Sequence, residues 1–333
     1  MYSVKSLLYP IEGGLLMKRF LIAILAVCLI FGVSAAYAQK KVRISIATGG
    51  TGGVYYPYGG AIASVISKYI PNTEATAEVT AAAIDNLKLV GAGEADLGYA
   101  YPDNALEALE GKGAFKSKLP VRMVAHLYVS YFHLVTAESS SIKSVADLKG
   151  KKVSLGAPNS GTEQVSIRVL EAFGINHEKD IKRDRLSVVE SAAALKDGKI
   201  DAFFWVGGLP TAAILDLAAT PGFSMRLVPT DTALPNIFKK YGHIYVNAKI
   251  PKTAYPKMAA DIGVVGIPNV LVCNASMSPD LVYNILKVMF DHKQDLINVH
   301  TQAKELTLEN AVIKASVPYH PGAVKYFKEK GKM

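Results

Sequence analysis

The chain predicts an α/β fold of two lobes, each a mostly parallel sheet flanked by helices, joined by two hinge crossovers. Three observations lead there. Residues 43–66, RISIATGGTGGVYYPYGGAIASVI, set an alternating apolar strand, a Gly/Thr loop and an Ala-rich helix in series. Residues 152–170, KVSLGAPNSGTEQVSIRVL, repeat those parts in the same order. Each copy is then followed by a related phrase, LVGAGEADLGYAYPDNALEAL at 89–109 and LKDGKIDAFFWVGGLPTAAIL at 195–215. In both phrases a helix ends at Gly, a turn passes Asp96 or Asp201, and an apolar strand runs into a loop. One unit built twice, with small-residue loops at matching strand ends, predicts two lobes facing one cleft.

Element by element, 41–47 alternates as a strand, and a helix over 58–70 stops at Pro71. Strands are expected at 75–80 and 95–101, with helices at 82–91 and 103–111. Val121–Leu127 is a strand flowing into Tyr131–Ala137, and 144–156 reads as a short helix, a turn and a strand. Helices at 162–173, 190–197 and 210–219 alternate with strands near 185–189, 200–206 and 225–228. Residues 232–262 carry Pro235, Pro251 and Pro256 and read as short helices and loops. Gly263–Asn274 is the last long strand; helices follow at 279–297, capped by Ser278, and at 302–315 and 322–330. Crossings near 127–131 and 265–269 divide the chain into lobe I, 39–127 and 267–333, and lobe II, 128–266.

Residues 1–38 read as a secretory signal whose natural start is Met17: Lys18 and Arg19, an apolar run, then Ala36-Tyr37-Ala38 before Gln39. The apolar run approaches spanning length, but the A-x-A ending favours cleavage over an anchor. Val27 stands where a lipoprotein signal needs a small residue before Cys28. A periplasmic product is expected. The net charge of +9 is spread along the chain without a Lys/Arg block, which argues against nucleic-acid binding and leaves anion attraction open. Beyond the signal only Cys273 remains, in the apolar run VLVCNA, so no internal disulfide can form and the thiol reads as packing.

In open α/β sheets ligands sit at the carboxyl ends of strands, where loops enter helices. The first such loop, Thr48–Gly53, offers Gly50, Thr51, Gly52 and Gly53 as backbone contacts, followed by Tyr55. Its equivalent offers Ser160, Gly161 and Thr162, although Ser160 to Glu163 also fits a capping box that satisfies the helix by itself. Tyr101 and Trp205 stand at or near the ends of the echoed strands, and Gly207 begins the second loop. Asn86 either caps its helix or reaches a carboxylate; Asp103 either caps helix 104–110 or meets a ligand amine. Asp96 and Asp201 read as turn residues. TGGTGG lacks the Lys-Ser/Thr of a P-loop and misses the dinucleotide fingerprint; H-E-x-x-H and G-x-S-x-G are absent, and the seven histidines lack ligand spacing. No catalytic residue, metal or cofactor is expected.

The phrases ATGGTGGVYYPYGG (47–60), DNLKLVGAGEADLGYAYPDNA (85–105), DLKGKKVSLGAPNSGTE (147–163), LKDGKIDAFFWVGGLP (195–210) and VPYHPGAVKYFKEKG (317–331) carry a resemblance over nearly all of the chain after the signal. The chain resembles the TAXI-type solute-binding receptors of tripartite ATP-independent periplasmic (TRAP) transporters. The resemblance implies a type II periplasmic-binding-protein fold that closes on a small carboxylate or amino acid such as glutamate, glutamine or a 2-oxoglutarate-like acid. It further implies delivery to a TRAP integral-membrane permease, by a receptor expected to be monomeric. Carried over by motif, the contacts come from the first glycine loop, Asn86, the Tyr101–Asp103 loop, Ser160–Thr162 and Trp205–Gly207. No Arg falls in these loops, so the carboxylate leans on N–H groups and hydroxyls. The competing reading keeps the cleft but couples it to a membrane receptor kinase.

Overall fold

The computed structural model describes residues 41–241 and 244–333; the signal-peptide segment lies outside them. The chain opens with β1 (Val42–Ala47), α1 (Tyr55–Tyr69), β2 (Thr73–Glu78), α2 (Ala83–Ala92), β3 (Leu97–Ala100) and α3 (Pro102–Glu110). The long strand β4 (Val121–Ala137) leads to β5 (Lys152–Ser154), α4 (Gly161–Ala172), β6 (Lys182–Asp184), α5 (Val188–Lys196), β7 (Ala202–Gly207) and α6 (Ala212–Ala219). Then come β8 (Met225–Leu227), α7 (Leu234–Tyr241), β9 (Val246–Ile250) and the second long strand, β10 (Ile262–Asn274). Helices α8 (Pro279–Asp291), α9 (Lys293–Val299) and α10 (Pro321–Glu329) close the chain.

The strand order is β2-β1-β3-β10-β4-β7-β5-β6, with β8 on β4 and β9 on β10. Both halves share one plan. The first reads β2-β1-β3 and then an antiparallel long strand, β10; the second reads β6-β5-β7 and then the antiparallel β4. This is the two-lobed type II periplasmic-binding-protein architecture. Strands β4 and β10 run antiparallel from the Val121–Asn274 pair to the Tyr131–Gly266 pair. Beyond it, β4 takes β7 and β8 while β10 takes β9. Register shifts interrupt β10 between Asn269 and Val270 and between Leu271 and Val272, just past Pro268.

The doubled plan extends to side chains. Asp96 accepts the Ser45 N–H at 2.8 Å, and Asp201 accepts the Lys152 N–H at 2.7 Å. Each aspartate returns its own N–H to the same residue's carbonyl, at 3.1 and 2.8 Å. The turn reading of both holds. Cys273 is fully buried, and burial pushes its thiol up to about 12, so it packs and does not react.

Four expectations change. Residues 185–189 are not a strand: β6 is the polar Lys182–Asp184, an edge strand, and Ser187 with Glu190 forms the capping box of α5. The proline-rich stretch contains a strand, β9, that pairs with β10. Helix 279–297 is two helices, broken at His292, whose ring stacks on Tyr69 with centroids 3.4 Å apart. Residues 302–315 are not one helix: a 3₁₀ turn spans Thr301–Glu305, and a turn closed by the Ala311 N–H on the Thr307 carbonyl leads into irregular chain. There Ala311 accepts the His126 N–H and Pro318 the Met123 N–H, so covering the open edge of β4 outweighs helix propensity.

Replacing Asp96 or Asp201 with Ala is expected to cost about 1.5–3 kcal/mol each in urea unfolding, the worth of a hydrogen bond to a charged group. A pH effect follows from His133 on β4, which is fully buried between the Tyr131 carbonyl (2.8 Å) and the Tyr255 hydroxyl (3.0 Å). Burial lowers it to about 4, so it folds neutral. Between pH 4 and 6.5 the unfolded chain therefore binds the extra proton. About 3 kcal/mol of stability, complete above pH 6.5, drains away as the pH falls toward 4. His133→Gln should flatten that slope in denaturant titrations across the window.

Candidate functional site

A cavity of about 330 Å³ lies where the loops after β1, β3, β5 and β7 converge. The structure brings Gly50, Thr51, Gly52, Gly53 and Tyr55 of the first loop to it, with Tyr101, Ser160, Thr162, Trp205 and Gly207. The loops after β2 and β6 add Val79–Ala82 and Ser187–Glu190, and β4 adds Tyr128. Those additions were missed, although the doubled plan could have supplied them: β2 and β6 occupy the same place in each half, so their loops must reach the same cleft. Ala82 holds φ 79° and ψ −149°, a region that favours glycine, and its N–H is pinned to Thr80 Oγ1 at 3.0 Å.

Three of the predicted residues are not in the wall. Asn86 is fully buried, and its amide donates to the carbonyls of Thr48 (2.8 Å) and Tyr99 (2.9 Å) while Thr80 donates to its oxygen. It neither caps its helix nor faces the cavity; it ties the first loop, the β2–α2 loop and β3 together. Asp103 is likewise neither a cap nor a wall residue, because its carboxylate is held by Arg168 and by the Tyr245 hydroxyl at 2.9 Å. Gly161 is a close-approach point: a Cβ there would sit 2.2 Å from the Tyr101 ring, so only glycine lets α4 meet the opposite lobe. Gly52 does the reverse, lying where a Cβ would be 2.4 Å from Val189, with its carbonyl accepting the Ala213 N–H at 3.3 Å.

The electrostatics of the wall rest on neutral donors. Helices α1, α4 and α5 all begin at the cavity. The first N–H groups of α4, on Gly161 and Thr162, have no protein acceptor among the described residues, as expected of an open helix start. Ser160 caps α4 through the Glu163 N–H at 3.1 Å, but the Glu163 carboxylate turns to the Asn159 N–H and Arg185, so the expected box is only half made. Thr162 Oγ1 accepts the Val206 N–H at 3.3 Å, and Trp205 Nε1 donates to Thr211 at 2.9 Å. Burial holds the Tyr55, Tyr101 and Tyr128 hydroxyls well above the usual phenol range, so they stay protonated donors. Tyr55 donates to Asn269, whose amide reaches Ser130 and the Ile267 carbonyl on the crossing strands, a link from wall to crossover. Among the described residues no group of His, Cys, Asp and Glu could hold a metal ion, and no helix is long and apolar enough to cross a membrane.

Beside the cavity the lobes are joined by a buried ionic network. Arg168 of α4 meets Asp103 and Glu107 of α3, the latter at 2.7 Å, and its guanidinium lies over the Tyr241 ring. Gln164 adds a bond to Glu107 at 2.7 Å and another with Asn104. The sequence profile of the NMT1-like family matches residues 46–331, which takes in the wall and this network alike. The chain belongs to the NMT1-like family.

Solved structures share the family chain's fold at low identity. A protein of Bordetella bronchiseptica RB50 superposes with a TM-score of 0.51 at 18% identity, over 87% of this chain and 89% of that one. The alkanesulfonate-binding protein SsuA from Xanthomonas axonopodis pv. citri, bound to MOPS, gives 0.47 at 17% identity over 87% and 84%. The GluR0 ligand-binding core in complex with L-glutamate gives 0.48 at 11% over 80% and 98%. The NMT1-like chain thus shares its two-lobed fold with the Bordetella protein.

Arg168→Ala would leave the buried Asp103 and the half-buried Glu107 without their cation, a cost of roughly 3–5 kcal/mol if the lobes stayed together. Opening relieves it. The expected result is a larger radius of gyration in small-angle scattering and only a modest fall in melting temperature. A large fall in melting temperature at unchanged radius would make the network a plain stability element.

Proposed function

We propose that the chain is an extracytoplasmic solute receptor, not an enzyme, that captures a small carboxylate between its lobes and hands it to a TRAP-type membrane permease. The observation that carries this reading is the cavity itself: helix starts from both lobes and three protonated phenols surround it, without any Lys, Arg or His among the lining residues. Such a wall offers an anion many neutral donors, and the one carboxylate in it, Glu190, is already engaged by the Ser187 N–H. The TAXI-type phrases support the permease and a small carboxylate or amino acid as the cargo, with glutamate, glutamine and 2-oxoglutarate-like acids among those to be tested. The export signal read in residues 1–38 supports a periplasmic site of action.

In this reading lobe I comprises 39–127 and 267–333, lobe II comprises 128–266, and the monomer closes by bending where β4 and β10 cross. The contacts are Gly50 to Gly53, Tyr55, Tyr101, Ser160, Thr162, Trp205 and Gly207, with Asn86 and Gly161 shaping the wall and Asp103 holding the lobes together.

Native mass spectrometry of the purified protein should reveal a bound organic acid. After its removal, a matching acid at about 100 times its dissociation constant should raise stability by roughly 2.7 kcal/mol. A protein that carries no acid and whose melting is unmoved by a library of carboxylates and amino acids is not this receptor.

A further inference from the structure

The cavity is graded from floor to mouth, and the gradient bears on what the ligand carries besides its carboxylate. At the floor, Tyr55, Tyr101 and Tyr128 are all buried, with hydroxyls close enough that ionising one opposes ionising the next. Tyr55 is committed to Asn269. Tyr128 is different: it has no exposed surface, it lines the cavity, and its hydroxyl has no hydrogen-bond partner. A buried polar group left unpaired is costly, and a lining position makes a bound ligand atom its natural partner. The start of α4 lies alongside, with Gly161 against the Tyr101 ring and the Gly161 and Thr162 N–H groups without an acceptor among the described residues.

The mouth is of another kind. Val79 from one lobe and Val189 from the other line the cavity while 59% and 51% exposed, two apolar side chains held at the rim. The half-buried Trp205 lines the cavity as well. Among the described residues the one charged side chain in the wall is Glu190, an anion, whose Oε2 already accepts the Ser187 N–H at 2.9 Å. A second carboxylate on the ligand would face valines and Glu190, without a cation to replace the water it loses. An apolar body would cover the valines and the indole instead.

Resting on the carboxylate-receptor reading, we infer that the ligand is a monocarboxylate with an uncharged apolar body, branched aliphatic or phenyl, seated carboxylate-first against Tyr128 and the start of α4. Dicarboxylates are poor ligands of this cavity. A volume of about 330 Å³ stands at the small end of ligand pockets and suits one such acid.

The test is calorimetric titration of the ligand-stripped protein with 4-methyl-2-oxopentanoate, 3-phenylpropanoate, 3-phenylpropanamide, 2-oxoglutarate and L-glutamate. At least one apolar acid should bind about ten-fold or more tightly than either dicarboxylate, and 3-phenylpropanamide should bind about ten-fold or more weakly than its acid. Tyr128→Phe should leave the melting temperature of the empty protein unchanged or raised, while weakening the apolar acid about ten-fold. Dicarboxylates that bind as tightly as the apolar acids overturn the inference and leave the receptor reading standing. An amide that binds as well as its acid, or a Tyr128→Phe protein with unaltered affinity, overturns the carboxylate-first seating. If none of the four acids binds and the purified protein carries no acid, the receptor reading itself falls.

Discussion

The pairing of β4 with β10 is the constraint on which the rest of the molecule depends. These two strands are long enough to belong to both half-sheets, so each half-sheet grows outward from the same antiparallel ladder. Neither half has a closed core without it: β3 leans on β10, and β7 leans on β4. Because both long strands are nearly fully buried, a one-residue slip in their register would turn core side chains to the wrong face. The two register shifts in β10 are tolerated where Pro268 and Asn269 stand, and Asn269 satisfies its amide across the strands and with Tyr55.

That spine sets the chemistry of the cleft. It points the carboxyl ends of β1 and β3 at those of β5 and β7, so small-residue loops and helix starts from both lobes meet in one cavity. Positive charge is plentiful in the chain but is kept away from the wall; the best-placed guanidinium, Arg168, faces Asp103 and Glu107 instead. The cleft therefore presents dipoles and neutral donors in place of side-chain cations. Gly52 and Gly161 make the meeting sterically feasible, one from each side.

Much of this was legible from residue patterns. The doubled strand–loop–helix phrase located the halves, and the paired Asp96 and Asp201 turns followed because the same local geometry demands the same hydrogen bond twice. Ten of the thirteen predicted contact positions stand in the cavity wall, since each lies at a strand's carboxyl end, in the loop beyond it or at the helix start that follows. Two of the three misses share a cause. Asn86 and Asp103 sit at the right depth for a ligand, but their side chains found protein partners distant in sequence, Tyr99 and Thr48 for one, Arg168 and Tyr245 for the other. Polar β6 lacked the apolar alternation of a strand because an edge strand need not have it, and 302–315 has helical composition that an unpaired β4 edge overrides.

The sequence by itself determined most of the local alphabet: where the doubled strands, loops and helix starts fall, that the unit occurs twice, and that no cationic residue enters the paired glycine- and serine-bearing loops. These depend on neighbours a few residues away, and periodicity, glycine and capping chemistry report such neighbours directly. Only the tertiary structure decided which polar side chains remain free to meet a ligand. That question turns on contacts between residues tens to hundreds of positions apart, as when Tyr55 finds Asn269 and Tyr128 finds nothing. Hydrogen-bond capacity can be counted from a side chain alone; whether it is already satisfied depends on what the fold brings beside it.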